Sequence, residues 1–337
     1  MALRTPYLMF LGDAPDQLAA KTAQGVVDWR PDICIGQLGL DGCNADLGLP
    51  HMSLAAAAEA GAKTLIVGVA NRGGLISDTW TKVLVEAIEL GFDIASGLHS
   101  RLGDVPDIAA AAERHGRSLT DARHPTRSFA VANGVKRPGM RLLPVGTDCS
   151  VGKMYTALAM AREMQARGMK ATFRATGQTG IFIAGDGVSV DAVVADFISG
   201  ATEWLTPEND ADHWDLVEGQ GSLFHASYAG VSLGLLHGAQ PDALVLCHEP
   251  TRTHMRGLPE FPLPGLKDCL EANERAARLT NPKATCIGVA VNTKHLSDTE
   301  RADYLKGVAD ELGLPAVDPV ATGVGPLVDN LPTAASS

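Results

Sequence analysis

Aromatic side chains are scarce in this chain of 337 residues, at 5%, and so is positive charge. Twenty-eight lysines and arginines face 39 aspartates and glutamates, a formal charge of −11. With no basic stripe to neutralise phosphates, a nucleic-acid partner is not expected. No apolar run reaches the roughly 18 residues that a membrane span needs, so no membrane partner is expected either. Near the start, Arg4 precedes the short apolar run YLMFLG, which an aspartate closes. That is not the pattern of a secretory signal, and the chain is expected in the cytoplasm. A C-x-x-C pair is missing too. The six cysteines, at 34, 43, 149, 247, 269 and 286, are scattered. In a chain this long they point to reduced, buried thiols, not to a disulfide frame or a zinc site.

Glycine, by contrast, is abundant at 36 residues, which suits an α/β fold with many loops near ligands. The length allows two domains with sizeable cores, and a homo-oligomer is expected for an enzyme of this size. Short aliphatic runs alternate with helical stretches, the signature of parallel sheets with crossover helices. The first set of strands is expected at 7–12, 32–38, 63–70 and 93–98, with a helix over 79–90 whose Val83, Ala87 and Leu90 share a face. A polar connector, 120–140, suggests a boundary near residue 135. The expected domains are therefore 1–135 and 136–330, both α/β. The second set of strands is expected at 141–146, 170–176, 215–219, 242–247 and 285–292. Helices are expected at 153–167, 190–200, 266–279 and 298–312.

Ligands of open parallel sheets bind beyond the carboxyl ends of the strands, which selects four loops. The first, VGTDCSVGKM, is almost a phosphate loop of the pattern G-x-x-x-x-G-K-[ST]. Gly146 stands one residue too far upstream, and Met154 replaces the hydroxyl that binds Mg²⁺. Gly146, Thr147, Asp148, Cys149, Ser150, Val151, Gly152, Lys153 and Met154 are candidates for holding a phosphate-bearing cosubstrate through backbone N–H groups and the lysine. In the second loop, 175–187, Gln178 is a candidate for orienting a small-molecule substrate. The third, 216–230, carries Glu218 and His225. The fourth, 244–265, carries Cys247, His248, Glu249, Arg252 and Arg256. Arginines at this density suit carboxylates, and a histidine beside a glutamate suits proton transfer near neutral pH. His248, His225, Glu218 and Glu249 are the candidate acid–base groups. Cys247 could act as a nucleophile, but neighbours on a strand point to opposite faces, so direct chemistry is favoured.

VGTDCSVGK and VEGQGS resemble the phosphate loop and the V-E-G-x-G segment of the dethiobiotin synthetase group of P-loop enzymes. Over nearly the whole chain, FLGDAPDQLAAK, GCNADLGLPHMSL, VGVANRGGLISDTW, ASGLHSRLGDVP, FRATGQTGIFIAGDGVSVDAVVADF, EGQGSLFH and LCHEPTRTHMRG resemble the D-glutamate N-acetyltransferases of the DgcN type. The resemblance implies a Rossmann-like domain followed by a P-loop domain, and transfer of acetyl from acetyl-CoA to the amino group of D-glutamate. Coenzyme A carries a pyrophosphate and a 3′-phosphate and needs no metal for acyl transfer, so a cradle without its metal ligand suits it better than ATP. On this reading Arg252 and Arg256 clamp the two carboxylates of glutamate. The competing expectation is an ATP- and Mg²⁺-dependent ligase of the dethiobiotin synthetase type, with Asp148, Asp186 and Glu218 around an ion. A nucleotide-sensing protein without turnover is the third; VNTKHLSD offers it only an N-K-x-D with wrong spacing.

Overall fold

The computed structural model describes residues 3–69, 74–125 and 127–333. Part of the GVANRGG run, residues 70–73, therefore lies outside the described residues. The chain forms two compact units. One runs to Arg127 and takes in Gly177–Ala192; the other holds Ser128–Thr176 and the chain from Val193 onward. The sequence reading places a boundary near 135, whereas the units part at 127/128, and the excursion of Gly177–Ala192 into the first unit has no counterpart in the sequence reading.

The first unit is built on β1 (Tyr7–Gly12), β2 (Cys34–Gly39), β3 (Thr64–Val67), β4 (Asp93–Ser96) and β5 (Leu119–Asp121). They form a parallel sheet in the order β2-β1-β3-β4-β5, the doubly wound arrangement expected of a Rossmann-like domain. β1 and β3 are buried along their whole length, which is why both read as unbroken apolar runs. The expected helix over 79–90 forms at Asp78–Glu89, capped by the Ser77 hydroxyl. Its buried face is Trp80, Leu84, Ala87 and Ile88, whereas Leu90 is exposed. The tryptophan sets the face, because it is the largest apolar surface available to bury.

The second unit contains β6 (Met140–Gly146), β7 (Ala171–Arg174), β8 (Trp214–Val217), β9 (Ala243–His248), a small hairpin of β10 (His254–Met255) and β11 (Leu258–Pro262), β12 (Thr285–Val291) and β13 (Ala316–Val317). Its main sheet is parallel, in the order β13-β12-β9-β6-β8-β7. The β6–β8 ladder stops at the Leu142–Leu216 pair, two residues before Pro144, which has no N–H to give. Leu143, Val145, Leu244, Leu246, Val289 and Val291 form one core with Leu235 and Leu236 of the helix Ala229–Ala239. The helix Asp298–Leu312 begins at a capping box of Ser297 and Glu300 and ends at Gly313 in the left-handed region, so its expected bounds match the observed ones. The helix expected at 190–200 does not form. Short 3₁₀ turns at Val190–Ala192 and Ala195–Phe197 precede a helix at Ile198–Leu205. The chain passes from one unit to the other at this point, so no single core faces a continuous helix.

Four cysteines, 34, 247, 269 and 286, are buried, two are half-buried, and all six are unpaired thiols, as expected. Among the described residues no helix is long and apolar enough to cross a membrane.

Candidate active site

The site grows from the carboxyl end of β6. A Cβ on Gly146 would lie 2.8 Å from Val151 Cγ2 and 3.1 Å from the Asp148 carbonyl oxygen, so only glycine lets the loop fold back this tightly. Ser150 (φ 55°) and Gly152 (φ 106°) complete the turn in the left-handed region. The helix Lys153–Ala166 starts directly after, with no side-chain cap, which leaves its first N–H groups for an anion. Lys153 is 6% exposed, burial lowers its pKa, and its Nζ donates to the Asp148 carbonyl at 2.7 Å. Met154 follows where a hydroxyl would hold Mg²⁺. Thr156 does not replace it, because its Oγ1 donates to the Gly152 carbonyl at 3.0 Å and accepts from Cys247 Sγ at 3.4 Å inside the core.

The segment after β9 lies on this loop. Arg252 Nη1 donates to Asp148 Oδ2 and to the Cys149 carbonyl, both at 2.6 Å. Arg256 gives its backbone N–H to the same carboxylate oxygen at 2.8 Å, and its guanidinium bonds Ser150 Oγ. Burial alone would raise the pKa of Asp148. The hydrogen bonds from Arg252, the Arg256 N–H and the Cys149 N–H outweigh it and hold the carboxylate below its ordinary range. The two arginines expected at glutamate carboxylates are thus found on the phosphate loop itself.

His225 is almost fully buried. Its Nδ1 accepts the Ser227 N–H at 3.2 Å and its Nε2 faces the Arg256 carbonyl at 3.0 Å, which makes Nε2 the protonated nitrogen. Both nitrogens are engaged, so His225 ties the two loops together. Asp148, Cys149 and His225 also place three potential ligand atoms within 4.8 Å of one another. Asp148 is already committed to Arg252, and a protonated Nε2 has no lone pair for an ion.

Glu218 follows β8 and is buried; its carboxylate accepts the Thr176 N–H at 2.9 Å, while the Thr176 hydroxyl donates to the Glu218 carbonyl at 2.6 Å. Gly219 is obligatory here, since a Cβ would stand 1.8 Å from the Pro144 carbonyl oxygen. Glu249 is turned onto its own loop, accepting the Thr251 N–H at 2.8 Å and lying 3.4 Å from Arg252 Nε. His248 ends β9, and its Nδ1 is 3.0 Å from Thr147 Oγ1. Burial pushes its pKa down to about 4. The Tyr304 ring lies near-parallel to it at 6.2 Å. Sequence reasoning missed Tyr304; the one aromatic of the helix Asp298–Leu312 was the available signal. Cys247 is fully enclosed, with its thiol pushed up to about 11 by burial, which suits a core residue and not a nucleophile.

Two expected members belong to the first unit. Gln178 opens the helix Gln178–Ala184 and packs within the first unit on Gly97, where its amide pairs with the Gly97 carbonyl and Arg123. Asp186 belongs to that unit too, so the expected ring of Asp148, Asp186 and Glu218 does not lie within one unit.

A Rossmann-like sheet followed by a parallel sheet with a lysine-bearing phosphate loop defines the class: a two-unit α/β P-loop protein. Residues 130–328 match the P-loop domain of DUF1611, and residues 39–125 match its Rossmann-like N-terminal domain, both described as domains of unknown function. The chain belongs to the DUF1611 family. It is 62% identical to a D-glutamate N-acetyltransferase of Tritonibacter scottomollicae, over 98% of this chain and 99% of that one. It is 48% identical to a D-glutamate N-acetyltransferase of a Pseudoalteromonas species, over 98% and 100%. A crystal structure of a DUF1611 family protein from Anabaena variabilis matches with a TM-score of 0.87 at 30% identity, over 97% of this chain and 99% of that one. The chain is an acyltransferase, as the sequence resemblance implied.

Proposed function

We propose that the protein moves acetyl from acetyl-CoA to the amino group of D-glutamate by direct attack, without a covalent enzyme intermediate and without a metal. The observation that carries the cosubstrate is the phosphate loop: it keeps Lys153 and its free helix N-terminus, has Met154 at the metal-ligand position, and turns the Thr156 hydroxyl into the core. Such a cradle suits the phosphates of coenzyme A, which need cations and N–H groups but no Mg²⁺. The acceptor, and its D configuration, rest on the names of the two relatives. Glu218 is the proposed base. It follows β8, the neighbour of β6 in the sheet, and is oriented by the Thr176 N–H. The reading also has the chain cytoplasmic and self-associating. Six unpaired thiols support the first, and the exposed Trp204 and Leu233 on neighbouring helices support the second.

The position of Arg252 and Arg256 on the loop favours the phosphate end of the site over the amino-acid end. Arg252→Ala is therefore expected to raise the KM for acetyl-CoA about tenfold or more and to change the KM for D-glutamate little. The reverse pattern would return the arginines to the carboxylates. The activity itself is tested by thiol release from acetyl-CoA with D-glutamate beside L-glutamate, in EDTA and without ATP. Release with D-glutamate alone is the expected result. Silence, relieved by ATP and Mg²⁺ with ADP formed, would give the site to a carboxylate-activating ligase.

A further inference from the structure

The strongest unabsorbed feature is the pair formed by Thr147 and His248. Thr147 is fully buried, its backbone N–H donates to the Cys247 carbonyl at 3.1 Å, and among the described residues its hydroxyl meets only His248 Nδ1. A buried hydroxyl without an acceptor is costly, and Nδ1 is the one acceptor it has among the described residues. If Nδ1 carried the proton, the Thr147 hydrogen would have nowhere to go. The arrangement is satisfied in one way: Thr147 donates, Nδ1 accepts, and the ring proton sits on Nε2. Among the described residues Nε2 has no hydrogen-bond partner.

We propose that Thr147 is a positioning residue that fixes His248 as a neutral imidazole with its proton on Nε2, so that His248 serves the reaction as a hydrogen-bond donor and not as a base. The proposal rests on the acetyl-transfer reading for the identity of the acceptor oxygen. In that reaction the ammonium of D-glutamate gives one proton to the base, and its nitrogen forms a C–N bond with the thioester carbonyl carbon. The C–S bond then breaks, and the second nitrogen proton ends on the coenzyme thiolate. His248 Nε2–H donates to the thioester oxygen while it is anionic and keeps its proton throughout. Burial of the ring supports the neutral state. A neutral imidazole used as an electrophile is a known device of other enzymes.

The decisive measurement is the tautomer of His248 in the full-length protein labelled with ¹⁵N-histidine, read from two-bond ¹H–¹⁵N correlations near pH 7, with His248→Gln supplying the assignment. The expected spectrum shows Nε2 protonated and Nδ1 as an acceptor. An Nδ1–H tautomer or an imidazolium would overturn the proposal, whatever the enzyme's substrate. In Thr147→Val the tautomer preference is expected to be lost and kcat to fall about tenfold or more with KM little changed; Thr147→Ser should restore both. Loss of a whole donor, in His248→Ala, is expected to cost about 10²–10³ in kcat. If the wild-type spectrum is as expected but no acetyl transfer occurs, the tautomer stands and the acetyl-transfer reading fails.

Discussion

The two ends of β6 use the same residue type for opposite purposes. At the amino end, Arg141 is fully buried, and its guanidinium donates to the carbonyls of Arg137 (2.8 Å), Gly139 (3.2 Å), Pro138 (3.0 Å) and Pro207 (3.0 Å). Arg137 beside it reaches the carbonyls of Thr206 and Gly238. The arginines are the shared donors to these carbonyls, beside the Asn209 N–H on Pro138 and Lys136 Nζ on Gly139. At the carboxyl end, Lys153, Arg252 and Arg256 also meet carbonyls and hydroxyls, but those of a loop with two left-handed residues at the head of a helix. There the cations concentrate positive charge beside N–H groups that have no partner in the helix. Position relative to the sheet, not residue type, separates a cation that fastens backbone from one placed for a ligand.

The largest effect expected from this contrast is on stability. Arg141→Met removes a buried guanidinium that donates to five carbonyls, Thr206 included, and should cost about 3–5 kcal/mol in urea unfolding, with a matching fall in Tm. A loss below about 1 kcal/mol would erase the distinction. Lys153→Met should behave in the opposite way. It is expected to lower kcat/KM for acetyl-CoA about a hundredfold, or ~2.7 kcal/mol of transition-state binding. Its stability should be equal to that of the wild type or higher, because burial disfavours the ammonium in the folded state. Thermal melting beside steady-state kinetics decides it.

Much of this contrast was written in the sequence on one side only. The carboxyl end was legible because glycines, a lysine and a histidine–glutamate pair follow apolar runs, and the rule that ligands bind beyond strand ends selects those loops. Arg141 was not legible: within RLLPVG it reads as the flank of a strand, and the carbonyls that clasp it come from segments as remote as Pro207. The same limit explains Gln178. Its local glycines gave it the look of a ligand loop, yet its side chain is spent on packing: a Cβ on the remote Gly97 would lie 1.9 Å from the end of its amide. Arg252 and Arg256 were found as a cluster, but the partner that holds them, Asp148, could not be read from the sequence, because it lies a hundred residues upstream. The edge strand β5 was missed because three half-buried residues give no periodicity. Strand and helix identity follow from local pattern, whereas the partner of a charge is a tertiary fact.

The smallest effect tests the joint between the two loops. Asp148 accepts from Arg252, from the Arg256 N–H and from the Cys149 N–H, and these bonds keep its carboxyl ionised in the folded protein below the range where a free aspartate protonates. A folded pKa lower than the unfolded one means that the unfolded chain binds the proton more tightly. The stabilisation is therefore complete above about pH 4 and is lost as pH falls through the folded value. Asp148→Asn keeps the shape and removes the charge, so it should destabilise by about 2 kcal/mol at pH 7. The gap to wild type should close on acidification, as wild-type Asp148 itself becomes neutral. Urea unfolding of both proteins at pH 7 and near pH 3 gives the two gaps directly. A gap that persists at low pH would mean that the joint is held by shape, and that the charge on Asp148 is there for Arg252 alone.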